Sequence, residues 1–341
     1  MAMRGIGRDA GVDAVRGLAL LSMFVAHAAP VPGPGDILIL SEYLTAPLFA
    51  VLVGVGAELS SRRGSRGIVA AAIRGGVLVV VGLLLERAGS QVIVILVYLG
   101  VLTWVMALLA RLPRLAVGLV AWFLFILSPL LRTALTDDWV GLLAGGDTFR
   151  ARLMEIFFVG SSYRLTALVT WACLGVLVAR TVLRRRRSWG LGAALVIAAG
   201  LILAGLDRSL GLVDVVPYSG THVEIAFDAL LAVGVLLTGA SVARAASGRW
   251  VRPLADMGRM SLTLYTLHIM WLAFVARVLW PGRADDAWSI LASLVVGAVA
   301  FAGAWNAIPA LRSWGRGPLE GATDAAVRAG AARSRRRVSA G

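Results

Sequence analysis

Apolar residues fall in long runs along this chain, and most polar residues are confined to the gaps between them. Runs long enough to cross a hydrocarbon core of roughly 30 Å occupy residues 13–30, 38–59, 67–86, 91–110, 114–131, 163–183, 189–206, 221–243, 256–280 and 287–309. Inside lipid every backbone N–H and C=O must be satisfied within its own segment, so runs of this kind read as membrane-spanning helices. The pattern predicts an all-α, polytopic integral membrane protein with about ten transmembrane helices. No internal repeat is visible, which disfavours the inverted-repeat transporter folds.

The gaps alternate in arginine. One set holds Arg62, Arg63 and Arg66; Arg111 and Arg114; Arg180 and Arg184 to Arg187; Arg244, Arg249 and Arg252; and Arg333 with Arg335 to Arg337. The other set is sparse, with none between Pro30 and Asp36 and only Arg87, Arg208 and Arg283 in the next short gaps. Cytoplasmic loops retain arginine, so both termini are expected in the cytoplasm. The longest gap, 132–162, then lies outside and is expected to form a lid, an acceptor platform, or a re-entrant or interfacial helix. Residues 1–319 are expected to form one membrane domain. Residues 320–341, rich in Ala, Gly, Arg and Ser, are expected to be a basic disordered tail held near anionic lipid.

Composition narrows the class further. The chain has 341 residues, 59% hydrophobic and 15% charged, with mean hydropathy +0.84, which excludes a soluble domain. The net charge of +14 is carried by arginine alone, since the chain has no lysine. Its distribution follows topology, so no nucleic-acid partner is expected. Arginine without lysine, with abundant Ala, Gly and Val, suggests a GC-rich bacterial genome and hence the bacterial cytoplasmic (inner) membrane. The single cysteine, Cys173, lies in an apolar run and is expected to serve packing. No cleavable signal peptide is expected. No zinc-ligand spacing and no phosphate-binding Gly-rich loop occurs, so no metal is expected.

Several ionisable groups lie inside the runs, where they are expensive unless they face protein or water. Arg16 and His27 are eleven residues apart, so on a helix they share a face and lie roughly 16 Å apart along the axis. Asp13 is nearly on the same side. Arg63 and Arg74 repeat the spacing in the third run, and Arg74 must meet an anion, either a bundle carboxylate or a ligand phosphate. Glu58 can pair with Arg62 one turn on. In the eighth run Glu224 and Asp228 are one turn apart, placed to orient a histidine, bind acceptor hydroxyls, or pair with an outer arginine. His222 points elsewhere, toward the mouth. Ser261, Tyr265 and His268 form a stripe on the ninth run, His268 near mid-membrane, either as a packing residue or as a chemical group.

These residues resemble a family. Asp13-Ala-Val-Arg16-Gly-Leu-Ala with His27 is similar to the opening of the transmembrane acyltransferase superfamily. Its acyltransferase-3 proteins carry an Arg-x10-His pattern on the first helix. Its heparan-α-glucosaminide N-acetyltransferase-like and DUF418 proteins resemble the chain at Ala46-Pro-Leu-Phe-Ala-Val-Leu-Val-Gly54, Pro217-Tyr-Ser-Gly-Thr221, Gly258-Arg-Met-Ser-Leu-Thr-Leu-Tyr265 and Arg316-Gly-Pro-Leu-Glu320. The resemblance implies transfer of an acyl group from cytoplasmic acyl-CoA, with acetyl-CoA the expected donor, to a hydroxyl or amine of a glycan or glycolipid outside. It also implies His27 as base with Arg16 as its partner, and suggests a homodimer. The glucosaminide enzymes carry asparagine in place of His27 and a histidine in the following loop. Here the loop Ala28 to Asp36 has none, which favours O-acylation.

The same residues suggest a division of labour. Arg16, Arg63, Arg66 and Arg74, with Asp13 beside them, are candidates for holding the CoA diphosphate. His27, His268, Glu224 and Asp228 are the catalytic candidates. A transporter or flippase of an envelope lipid would line its path with the same charges and is the alternative reading; a scaffolding membrane protein is the third.

Overall fold

The computed structural model describes residues 10–30, 33–62, 64–183, 188–202, 216–246, 248–282 and 286–338. Arg63, Arg184 to Arg187, Arg208 and Arg283, all used above, lie outside them. The described residues form helices joined by short turns: α1 Ala10–Ala28, α2 Leu40–Ser61, α3 Ser65–Glu86, α4 Leu96–Leu109, α5 Arg114–Ala144, α6 Thr148–Met154, α7 Leu165–Thr181 and α8 Ser188–Ile202. They continue as α9 His222–Ala245, α10 Gly248–Arg259, α11 Ser261–Phe274, α12 Trp288–Ala307, α13 Pro309–Ser313 and α14 Pro318–Val338. Among the described residues seven helices are long and apolar enough to cross a membrane, and three more apolar helices, Leu96–Leu109, Leu165–Thr181 and Gly190–Ile202, are shorter. The protein is an all-helical, polytopic membrane protein.

One expectation is sharpened and one changes. The segment 132–162, for which a helix was among the expectations, is largely helical: α5 continues through Pro129 and beyond its predicted end at 131 to Ala144, and α6 leads into a π-turn at Glu155–Val159. No glycine or proline interrupts 130–140, and Thr133 and Thr136 return their hydroxyls to the carbonyls of Pro129 and Arg132. The disordered tail expected at 320–341 is instead the helix α14, running to Val338 and packed along α3. Alanine and arginine are strong helix formers, and α14 is anchored by its own carboxylates. Glu320 accepts the N–H groups of Leu262 and Thr263 at 2.8 and 3.0 Å and the Thr263 hydroxyl at 2.6 Å. It thereby caps the open N-terminus of α11 from outside that helix.

Below, the end of the bundle where α1 begins is termed basal and the end where it finishes distal. α1 and the α10–α11 pair run side by side in the same direction. Asp13 and Gly17 meet Gly258 and Leu254, and further along Phe24 and His27 meet His268. The approach is close because two positions lack a Cβ: one on Gly17 would strike the Leu254 carbonyl, and one on Gly258 the Asp13 carbonyl. Gly258→Ala is therefore expected to force α1 and α10 apart at a cost of about 1–3 kcal/mol. Thermal unfolding in detergent checks this, and an unchanged midpoint would mean that the contact is not tight.

Candidate functional site: a histidine pair above an arginine-rimmed channel

The parallel run of α1 and α10–α11 brings two histidines together. Nδ1 of His27 lies 3.1 Å from Nε2 of His268, and the rings are nearly parallel, with centroids 5.3 Å apart. Nδ1 of His268 lies 2.7 Å from the carbonyl oxygen of Tyr265. Phe24 and the Tyr265 ring enclose His268 at 5.4 and 5.0 Å between centroids, leaving it 2% exposed. His27 is half-buried, so the pair opens on the His27 side.

Beside this pair a cavity of about 270 Å³ runs between α2, α3, α4 and α11. Its lining covers α2 from Phe49 to Ser61, a rise of about 18 Å. The basal stretch carries Arg16, Arg74 and Arg111, and the distal stretch is lined by Phe49, Leu96 and Tyr265. Tyr265 thus touches both features: its ring lines the channel, its carbonyl meets His268, and its hydroxyl accepts the Ile95 N–H at 3.2 Å. The arrangement suits a long molecule with an anionic head and a thin body, its far end brought toward the histidines.

The basal arginines already have protein partners. Arg16 donates to Asp13 at 2.7 Å. Arg74 lies 3.5 Å from Asp324 of α14, which also pairs with Arg316. Arg111 donates to the Gly64 carbonyl at 3.0 Å. Of the expected phosphate ligands, Arg16 and Arg74 line the channel, Asp13 is Arg16's buried partner, and Arg66 is exposed and absent from the lining. Glu58 pairs with Arg62 at 3.1 Å, as its spacing suggested, and with Arg180 at 2.7 Å.

Glu224 and Asp228 do not orient a histidine; His27 turns its Nδ1 to His268 instead. The Thr-x-x-Glu pattern at 221–224 caps α9. The Thr221 hydroxyl accepts the Glu224 N–H at 3.2 Å, and Glu224 reaches back to the Gly220 N–H at 2.5 Å. Its carboxylate faces the buried guanidinium of Arg164 at 3.8 Å. Nε of Arg164 and Oδ1 of Asp228 have no hydrogen-bond partner.

The cluster backs onto an open distal groove of about 580 Å³, lined by Arg132, Thr133, Thr136, Asp137, Ser219 and Thr221 among others. His222 also lines it, with Nε2 3.1 Å from the Ile126 carbonyl. Tyr218 holds the preceding turn at φ 62°, the left-handed region, a conformation that costs a non-glycine residue on the order of 1–3 kcal/mol. Burial pushes its phenol up, with Tyr163 and Glu42 beside it adding to the effect, so it stays protonated and donates to Glu42 at 2.5 Å.

Sequence reasoning did not find Arg111, Arg164, Arg180, Glu320 or Asp324 as partners of these sites. Each lies outside or at the edge of an apolar run, where a charge carries no signal. Among the described residues no group of three or more His, Cys, Asp or Glu side chains is placed to hold a metal ion.

The acyltransferase-3 family model, described as an acyltransferase domain, matches residues 9–306. No curated protein and no solved structure matches the chain significantly.

Proposed function

The chain belongs to the acyltransferase-3 family of membrane acyltransferases, and we propose that it moves an acyl group, acetyl in the first instance, from acyl-CoA entering at the basal end to a hydroxyl or amine of a glycan or glycolipid at the distal end. By the arginine bias the basal end faces the cytoplasm of a bacterial cell and the distal end faces outward. The observation that carries the reading is the channel itself: three arginines at its basal stretch and, at its distal stretch, a tyrosine whose carbonyl meets His268 of the histidine pair.

In this reading Arg16, Arg74 and Arg111 hold the CoA phosphates through charge-assisted hydrogen bonds, displacing Asp324 from Arg74. The pantetheine arm lies along the channel and delivers the thioester toward His27. The acceptor's O–H (or N–H) gives its proton to His27 as the oxygen (or nitrogen) attacks the thioester carbonyl carbon. The C–S bond breaks, the electron pair leaves with sulfur, and His27 returns the proton to give free CoA thiol. The distal groove offers hydroxyls, Asp137 and Arg132 to a hydroxyl-rich acceptor, and holding both substrates together supplies much of the rate.

Calorimetry on the purified protein tests the donor half. Acetyl-CoA should bind where free acetate does not, and Arg74→Ala should weaken binding by about 1.5–3 kcal/mol, the worth of one charge-assisted phosphate contact. Equal heats for acetyl-CoA and acetate, or unaltered affinity in a folded Arg74→Ala protein, would remove the channel from the donor role.

A further inference from the structure

A carbonyl oxygen only accepts hydrogen bonds, and this fixes protons two rings away. Nδ1 of His268 faces the Tyr265 carbonyl at 2.7 Å, so Nδ1 must carry the hydrogen. A neutral imidazole has one N–H, so Nε2 of His268 is then bare. That bare nitrogen faces Nδ1 of His27 at 3.1 Å, and one of two facing nitrogens must donate. Nδ1 of His27 is therefore the donor, which leaves Nε2 of His27 with a free lone pair. The rings lie among Phe24, Tyr265 and apolar helix faces, where a neutral pair with its facing nitrogens matched avoids the cost of a buried charge.

We propose that the Tyr265 carbonyl and His268 act as a two-step tautomer lock on His27, making Nε2 of His27 the atom that takes the acceptor proton. His268 is then a positioning residue and not a second base. It does for His27 what a carboxylate does in a Ser-His-Asp arrangement, holding one ring nitrogen protonated and the other bare. When His27 receives the acceptor proton on Nε2, its Nδ1–H becomes a charge-assisted donor to His268, which stabilises the imidazolium without a buried carboxylate. When Nε2 gives the proton to the leaving thiolate, the starting tautomer is restored and no proton is gained or lost. The catalytic part rests on the acyltransferase reading; the tautomer assignment does not.

The chain has three histidines, so ¹⁵N-histidine labelling of the intact protein in detergent micelles gives three ring systems. The His222→Gln variant identifies the third by its disappearance. Long-range ¹H–¹⁵N correlation at neutral or mildly basic pH should show both His27 and His268 as the Nδ1–H tautomer, the less common form for histidine in water. An Nε2–H pattern for either ring overturns the lock.

Turnover supplies the second measurement. In His268→Gln the amide can still accept from His27 and donate to Tyr265, so kcat should stay within about tenfold of wild type, whereas His268→Leu should lose about 10²–10⁴-fold. KM for acetyl-CoA should not move in either, a split that lost packing would not give. Equal loss in both folded variants, or none in His268→Leu, counts against the positioning role. The expected tautomers in a protein with no transferase activity would sink the acyltransferase reading and leave the proton assignment standing.

Discussion

His27→Gln is expected to leave the helices folded and acetyl-CoA bound, yet to lower acyl transfer by about 10²–10⁴-fold, the usual worth of a positioned base. Glutamine keeps a hydrogen bond toward His268 but has no basic nitrogen, so this variant separates geometry from basicity. His27 is half-buried and forms the open side of the pair, while His268 is enclosed by Phe24 and Tyr265. Only the former can present a nitrogen to an incoming acceptor without rearrangement. Single-turnover transfer from acetyl-CoA, with donor binding measured in parallel, checks the expectation. Transfer within about threefold of wild type, against an inactive His268→Ala protein, would move the base deeper into the bundle and reverse the roles assigned here.

Glu58→Ala should cost about 3–5 kcal/mol of stability, the range for removing one partner of a buried ion pair. Glu58 and Arg180 side chains are 7% and 12% exposed and meet at 2.7 Å. Arg180 also donates to the carbonyls of Leu112 and Ala110 at 2.8 and 2.6 Å. One guanidinium therefore joins α2, the α4–α5 turn and α7, and loss of its carboxylate strands a cation there. The companion pair with Arg62, whose side chain is 44% exposed, adds little on its own. Unfolding of the detergent-solubilised variants, including the Glu58→Gln/Arg180→Met double replacement, gives the readout. The double variant should recover part of the loss, because no unpaired charge remains buried. A Glu58→Ala protein as stable as wild type would show that water reaches the site and screens it.

The extent to which the sequence was readable follows from the range of the forces involved. Each apolar run contains a helix among the described residues, because length and lipid-facing hydropathy are local properties. The ends are less local: α5 outruns its run to Ala144, and the run 256–280 is divided between α10, α11 and a π-turn. The shared face of Arg16 and His27 was likewise legible, since eleven residues return a helix to nearly the same angle. What periodicity does not contain is which helices become neighbours. His27 and His268 are 241 residues apart, Glu58 and Arg180 are 122, and Arg74 and Asp324 are 250. Their pairing depends on glycine contacts such as Gly17 with Leu254, whose meaning appears only when the opposing backbone is in place. For Glu224 and Asp228 the spacing leaves open a histidine, an acceptor hydroxyl or an outer arginine; the structure supplies the arginine, Arg164, which sits at the edge of the run 163–183, where a charge looks like a boundary residue. The tail was misjudged because low hydrophobicity resembles disorder, although its alanines and its carboxylates at 320 and 324 are also what a surface helix requires.

The separation of the two histidines also has a consequence in time. α1 leaves the ribosome before α10 and α11, carrying Asp13, Arg16 and His27 into the bilayer, while His268 follows 241 residues later. At about 5–20 residues per second, the interval is roughly 12–50 s. Throughout it His27 has no ring partner, and Gly17 faces lipid or a provisional neighbour in place of the Leu254 backbone. The nascent bundle must therefore keep a slot open beside α1 until α10 and α11 insert. Slowing or arresting synthesis between the ninth and tenth helices should leave a protein that is threaded through the membrane but has no site.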